Sequence, residues 1–203
     1  MPEARKNPAD TTPLRQRKRM AAMARIQDQA FIQLQARGFS ETTVTDIASA
    51  ADVSPSSVYR YFGTKEGIFL WDPLEAPVME MVNDLLGELP ALEAIERTLI
   101  QVLGELSGEE ESALRLKTRL VFSVPKLRSS LRAQLERFEH ELTTALTTAG
   151  TPLLQARVIA VTTTGALWVA IDHWQQPGNT EPLEQVTIKA FSAATLVSAG
   201  TSP

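Results

Sequence analysis

The chain has no cysteine in its 203 residues, which excludes disulfides, thiolate zinc sites, iron–sulfur clusters and thiol nucleophiles together. Histidine is almost as scarce. His140 and His173 are the only two, too few for a multi-histidine metal centre or a histidine relay, so no metal and no cofactor is expected. The longest uncharged apolar run, residues 158–171, is shorter than the ~20 residues a bilayer-crossing helix needs. The first 19 residues carry charges and prolines but no apolar core, unlike a secretory signal. With 43% hydrophobic residues and no Gly/Ser or Gln tracts, the composition is not that of a disordered or fibrous chain. A soluble, cytoplasmic protein with no membrane partner is the expectation. Enzyme signatures are missing as well: there is no glycine-rich phosphate loop, nucleophile elbow, metal-ligand cluster or isolated acid/base pair. Glu136 and Glu139 share a helix with many other charges and read as a wet face. The chain is not expected to be an enzyme.

What is present is unevenly distributed. The net charge of −4 divides into +3 over residues 1–70 and −7 over the remainder, a basic front part suited to an anion and an acidic rest. Residues 1–13 are polar and proline-bearing and read as a disordered leader. A basic cluster, Arg15-Gln-Arg-Lys-Arg19, then enters a helical pattern with Ile26, Ala30, Phe31 and Leu34 on one face, stopped by Gly38. The cluster reads equally as a DNA-reaching arm or as a solvated helix start.

Residues 40–70 are dense in capping signals. Thr43 is the expected N-cap of a short helix, with Asp46 three residues on and Ile47 and Ala48 turned inward. Asp52 and Val53 form a turn. Ser54-Pro55 is an N-cap followed by proline at the first helical position, opening a second short helix through Tyr61, and Thr64-Lys65 opens a third. Two short helices joined by a tight turn are a helix-turn-helix. A helix that reads the major groove should offer small polar residues and an aromatic or two near its N-terminus. Ser54, Pro55, Ser56, Ser57, Tyr59 and Tyr61 meet that need, and helix N-termini at Thr43, Ser54 and Thr64 point N–H groups outward toward phosphate. The competing reading is a purely structural three-helix bundle.

The run GFSETTVTDIASAADVSPSSVYRYFGTKE, residues 38–66, resembles the DNA-binding domain of TetR-family transcriptional regulators. Ile26, Ala30, Leu34 and Gly38 match that family's first-helix rhythm, and Tyr59, Tyr61, Phe62 and Lys65 its ending. Asp52 departs from the pattern, standing where the family usually has glycine; aspartate tolerates the left-handed conformation better than most residues. The resemblance implies a phosphate contact at Thr43 and a groove-edge placement for Val44 and Thr45. It implies base or thymine-methyl contacts from Pro55, Ser56, Ser57 and Tyr59, and phosphate contacts from Tyr61 and Lys65. Ile47, Ala48, Val53, Val58 and Phe62 would be core.

Beyond residue 70 the pattern is helical throughout. Helices are expected over 64–88 with a break near Pro73, then over 91–106, 109–124, 126–149, 152–174 and 182–199, with no alternating strand pattern and no repeat. The expected fold is all-α: a leader over 1–13, an N-terminal three-helix helix-turn-helix DNA-binding domain over 14–70, and a larger C-terminal helical domain over 71–203 for ligand binding and dimerisation. Helix 152–174 is apolar nearly all round and must be covered on more than one side; burying ~800 Å² per subunit would suit a stable dimer. The resemblance likewise implies a homodimer through the last two helices, here Val161, Leu167, Trp168, Ile171, Val186, Phe191 and Leu196; a buried central helix in a monomer is the competing reading. It further implies a small-molecule pocket, with Met79, Val82, Leu86, Leu103, Phe122 and Trp168 as lining and Arg119 or His140 as polar anchors, though each also reads as ordinary core or surface. Segment 119–128 resembles a pattern common among actinobacterial members. The expected function is a homodimeric regulator, a repressor released from a palindromic operator in double-stranded DNA by an unknown small-molecule effector, apolar or amphipathic. The alternative is a constitutive helical DNA-binding or adaptor protein with no effector.

Overall fold

The computed structural model describes residues 14–199, with side chains through Ala194; the expected leader over 1–13 and the side chain of Leu196 lie outside the described residues. Among the described residues there are ten helices and no strand. They fall into two compact units, one ending at Trp71 and one beginning at Asp72.

The first unit holds α1 (Leu14–Glu41), α2 (Val44–Ala50), α3 (Pro55–Phe62) and α4 (Lys65–Leu70). Met23, Ile26, Gln27, Ala30, Phe31 and Leu34 recur every three or four residues and form the buried face of α1. Gly38 breaks that helix with φ 79° and ψ 169°, a backbone state most side chains oppose. Ile26, Ala30, Ile47, Ala48, Val58, Ile68 and Phe69 are at most 3% exposed and make the core, with Phe69 set edge-on to Phe31 at 5.4 Å. A buried amide fastens the far end: Gln27 Nε2 donates to the carbonyls of Ile68 (3.0 Å) and Trp71 (2.7 Å), satisfying helix-end acceptors that would otherwise be orphaned.

The second unit holds α5 (Glu75–Leu85), α6 (Ala91–Gly104), α7 (Gly108–Ser123), α8 (Pro125–Thr148), α9 (Leu153–Trp174) and α10 (Leu183–Ala199). The break expected near Pro73 is the non-helical stretch between α4 and α5. Val78, Val82, Ile95, Leu99, Leu142, Leu146, Ala156, Ala160 and Phe191 build the main core. Trp174, Ala170, Leu183 and Val186 build a second cluster. Arg115 organises the chain after α9. Its guanidinium lies 4.3 Å from the Trp174 ring centroid and donates to the carbonyls of Trp174, Asn179 and Glu181, while Glu111 accepts from it at 3.3 Å. By length and composition α9 could cross a membrane, because the helix extends the uncharged run at both ends. In this chain it packs along α8 and α10 and buries one side, Ala156, Ala160, Thr163, Ala166 and Ala170.

Candidate nucleic-acid interface

Three hydroxyl caps shape the first unit. Thr43 Oγ1 accepts from the Asp46 amide at 3.1 Å, Ser54 Oγ from the Ser57 amide at 3.2 Å, and Thr64 Oγ1 from the Gly67 amide at 3.0 Å. Each satisfies one of the free N–H groups at a helix start and so sets where α2, α3 and α4 begin. Between α2 and α3 the chain turns at Asp52, whose φ of 54° is the one positive value at a non-glycine residue among the described residues. The Asp46 carboxylate also accepts from the Thr43 hydroxyl at 2.7 Å and pairs with Arg37 at 3.1 Å. The Thr43 bond first, and then the Arg37 charge, hold its pKa below the usual carboxylate range against slight desolvation.

With Val58 buried, α3 turns Ser54, Pro55, Ser56, Tyr59 and Arg60 outward, and Ser57 is half-buried. Tyr59 is 54% exposed. The hydroxyls of Ser54, Ser56 and Ser57 form a cluster at 2.9 Å spacings, with Arg60 donating to Ser57 at 3.3 Å. Thr43 and Thr45 are exposed on α2 and its cap. Tyr59 and Tyr61 are the only tyrosines in the sequence, and both lie on α3. Two guanidiniums attend Tyr61: Arg60 at 5.1 Å and Arg19 at 5.7 Å from the ring centroid. Lys65 sits over the Phe39 ring at 4.0 Å and donates to the Phe39 carbonyl.

Val44 does not join this surface. It is 7% exposed and packs inward, because the face of α2 that carries Ile47 and Ala48 also takes the residue three positions before Ile47. The groove-edge placement expected for it is corrected. Arg19 is the residue that sequence reasoning placed least well: it belongs to the basic cluster, and its contact with α3 spans 42 positions, so no local signal reveals it.

A family model for bacterial regulatory proteins of the tetR family matches residues 26–70, and a model for the MftR C-terminal domain matches residues 89–196. The chain belongs to the TetR family. Members of that family are DNA-binding transcriptional regulators and not enzymes, and so this protein is a DNA-binding transcriptional regulator. No curated protein matches the sequence. Among solved structures, the complex of SmeT from Stenotrophomonas maltophilia with triclosan is 15% identical, with TM-score 0.59, covering 87% of this chain and 91% of that one. A TetR-family regulator from Streptomyces coelicolor is 20% identical, with TM-score 0.56 and coverage of 89% and 96%. FadR from Thermus thermophilus, a TetR-family repressor solved with lauroyl-CoA, is 23% identical, with TM-score 0.53 and coverage of 85% and 93%. At these identities the likeness shows the shared fold.

The residues expected at a TetR effector pocket are scattered. Val82 is 1% exposed in the core. Arg119 donates to the carbonyls of Gln175 (2.8 Å) and Gln176 (3.3 Å), so it caps the end of α9 instead of facing a cavity. His140 is exposed on α8 and bonds the Glu136 carbonyl of its own helix at 2.7 Å. Phe122 and Trp168 stack on each other at 5.3 Å, and Leu103 packs on the Trp174 cluster. Met79 is half-buried and lines neither of two clefts in the unit. Leu86 alone lines one, a cleft of about 550 Å³ that also takes in Leu89, Leu92, Thr151, Gln155 and Ile159. The second cleft, about 270 Å³, lies at Arg115 and Asn179.

The expected dimer residues also divide. Val186 (4% exposed) and Phe191 (2%) are spent in the chain's own core, and these two are corrected; Leu167 is half-buried, with part of its side chain against that core. Ile171 and Trp168 are half-buried. Val161 is half exposed, and Leu154, Val158 and Val169 are more exposed still. The four recur at spacings of four, three and eight along α9, one continuous apolar stripe.

Proposed function

We propose that this TetR-family protein is a homodimeric repressor that binds a two-fold symmetric operator and leaves it on binding a small apolar or amphipathic molecule. The single observation that carries this is the outward row of α3, where Ser54, Pro55, Ser56 and Tyr59 stand clear on a helix whose other side is held by Val58. Small hydroxyls and a proline let the helix approach base edges closely, and Tyr59 offers both a ring for a thymine methyl and a hydroxyl. In this reading Thr43, Tyr61 and Lys65 take phosphates, Thr45 stands at the groove edge, and Ser57 supports the base-reading row. Dimerisation is supported by the exposed stripe on α9, since contiguous apolar surface of that kind marks an interaction face. Release by an effector is supported by the contents of two solved relatives of the same fold, triclosan in one and lauroyl-CoA in the other.

The test is selection of duplexes from a random pool by the full chain, followed by footprinting. A protected site with two inverted halves is expected, and Tyr59→Ala is expected to weaken it by ~1–3 kcal/mol. Addition of lauroyl-CoA or triclosan to the complex probes release. Failure to retain any duplex at low ionic strength sinks the assignment of α3; binding unmoved by a broad panel of apolar and amphipathic compounds sinks the effector half.

A further inference from the structure

The basic cluster is absorbed by none of the roles above. Arg15, Arg17, Lys18 and Arg19 form the first turns of α1, which is helical from Leu14, and all four are exposed. The buried face of α1 starts only at Met23, so these turns reach past the packed core. Arg19, Met23, Ile26 and Ala30 follow one another at helical spacing on one face, and Arg15 is one turn before Arg19 on that same face. That face is the one turned toward α3, as the Arg19 guanidinium 5.7 Å from the Tyr61 ring shows. Like charges at i and i+4 repel, there is no acidic residue in the first turn, and none of the four cations has an acidic partner among the described residues.

We infer that Arg15 and Arg19 are a backbone clamp: they hold DNA phosphates alongside the one Tyr61 is proposed to take, and they read no bases. The inference rests on the reading of α3 as the recognition helix. Phosphate is chosen over base edges on size. An extended arm could enter the minor groove, but a helix with its side chains is ~10–12 Å across and that groove is ~6 Å wide. With α3 in the major groove, the strand between the grooves is what an overhanging α1 can meet. Arginine suits it, because its fork of N–H groups matches phosphate oxygens. Stacked against Tyr61, Arg19 is held ready for the contact, and Arg15 stands one 5.4 Å turn away.

The experiment uses the full chain and the duplex it selects from a random pool, with affinity measured across a salt series for wild type, Arg15→Gln, Arg19→Gln, the double variant, and Arg25→Gln. Arg25 is exposed on the opposite side of α1 and controls for bulk charge. Each clamp variant is expected to lower the slope of log K against log salt by ~1, and the double variant by ~2. The fold-loss should be equal on the preferred duplex and on single-mismatch duplexes, and Arg25→Gln should leave the slope unchanged. Wild-type slopes in both clamp variants, or an equal drop in Arg25→Gln, would overturn the clamp while leaving α3 intact. A loss confined to particular base pairs would overturn it in favour of base reading. If wild type retains no duplex at all, the recognition helix itself is misassigned and the clamp falls with it.

Discussion

At the residue scale, one position of the DNA-binding unit is decided by backbone geometry and another by side-chain charge. A Cβ built on Gly67 would lie 2.3 Å from the Phe62 carbonyl oxygen and 3.3 Å from the Thr64 hydroxyl, so α4 can begin this close to the end of α3 only with glycine there. Gly67→Ala is therefore expected to push α4 off α3 and destabilise the unit by ~1–3 kcal/mol. Amide exchange would show it as faster opening around Phe62 and Ile68, with the second unit unchanged. The other position is Asp46, an exposed carboxylate held ionised by Thr43 and Arg37. Its folded pKa lies below its unfolded one, so its contribution is complete above the unfolded value and is lost as pH falls through the folded one. Protection of the first α2 amides should decline below about pH 4, and Asp46→Asn should remove that pH dependence. An unchanged acid profile in the asparagine variant would show that the Thr43 cap stands without the charge.

Among the elements, helix limits were legible in the sequence and helix phase in part. The caps at Thr43, Ser54 and Thr64 and the stop at Gly38 are local signals, each acting on the backbone within a few residues, and the structure starts helices at the three caps and breaks α1 at Gly38. α9 is different. Apolar on every side, it has no hydropathy gradient from which to assign an inner face. Volume separates the faces instead: the buried side is Ala156, Ala160, Thr163, Ala166 and Ala170, and the exposed side is Leu154, Val158, Val161 and Val169. Small residues let α8 and α10 approach closely, and the larger branched ones are left over. Val186 and Phe191 were misplaced for a related reason, since α10 is short of charge and only tertiary packing fixes its inner side. If the stripe on α9 is where two copies meet, Val158→Asp and Val161→Arg should raise the dimer dissociation constant tenfold or more while shifting stability of the unit by less than ~0.5 kcal/mol. Phe191→Ala, by contrast, should destabilise the unit by ~3–5 kcal/mol. Sedimentation at a series of concentrations separates the two effects, and an unaltered dimer in both valine variants would move the interface elsewhere.

For the whole molecule, the division of charge into a basic first third and an acidic remainder means that only the first unit is drawn to DNA, while the rest is repelled by it. The second unit can then strengthen binding only by joining two heads. A joined pair gains because the second half-site is captured at high effective concentration, and that gain depends on both half-sites facing the same side of the duplex, a whole helical turn or a multiple of ~10–10.5 base pairs apart. Inserting five base pairs at the centre of the selected site turns one half about 180° away from its head. Affinity should fall toward that of an isolated half-site, and a ten-base-pair insertion should restore a part of it if the pair of heads can spread that far. The measurement is titration of the three duplexes at one salt concentration, because a change in ionic strength would shift all of them at once. Equal affinity for the intact site and the five-base-pair variant would mean that each head reads alone, and the exposed stripe on α9 would then need another occupant.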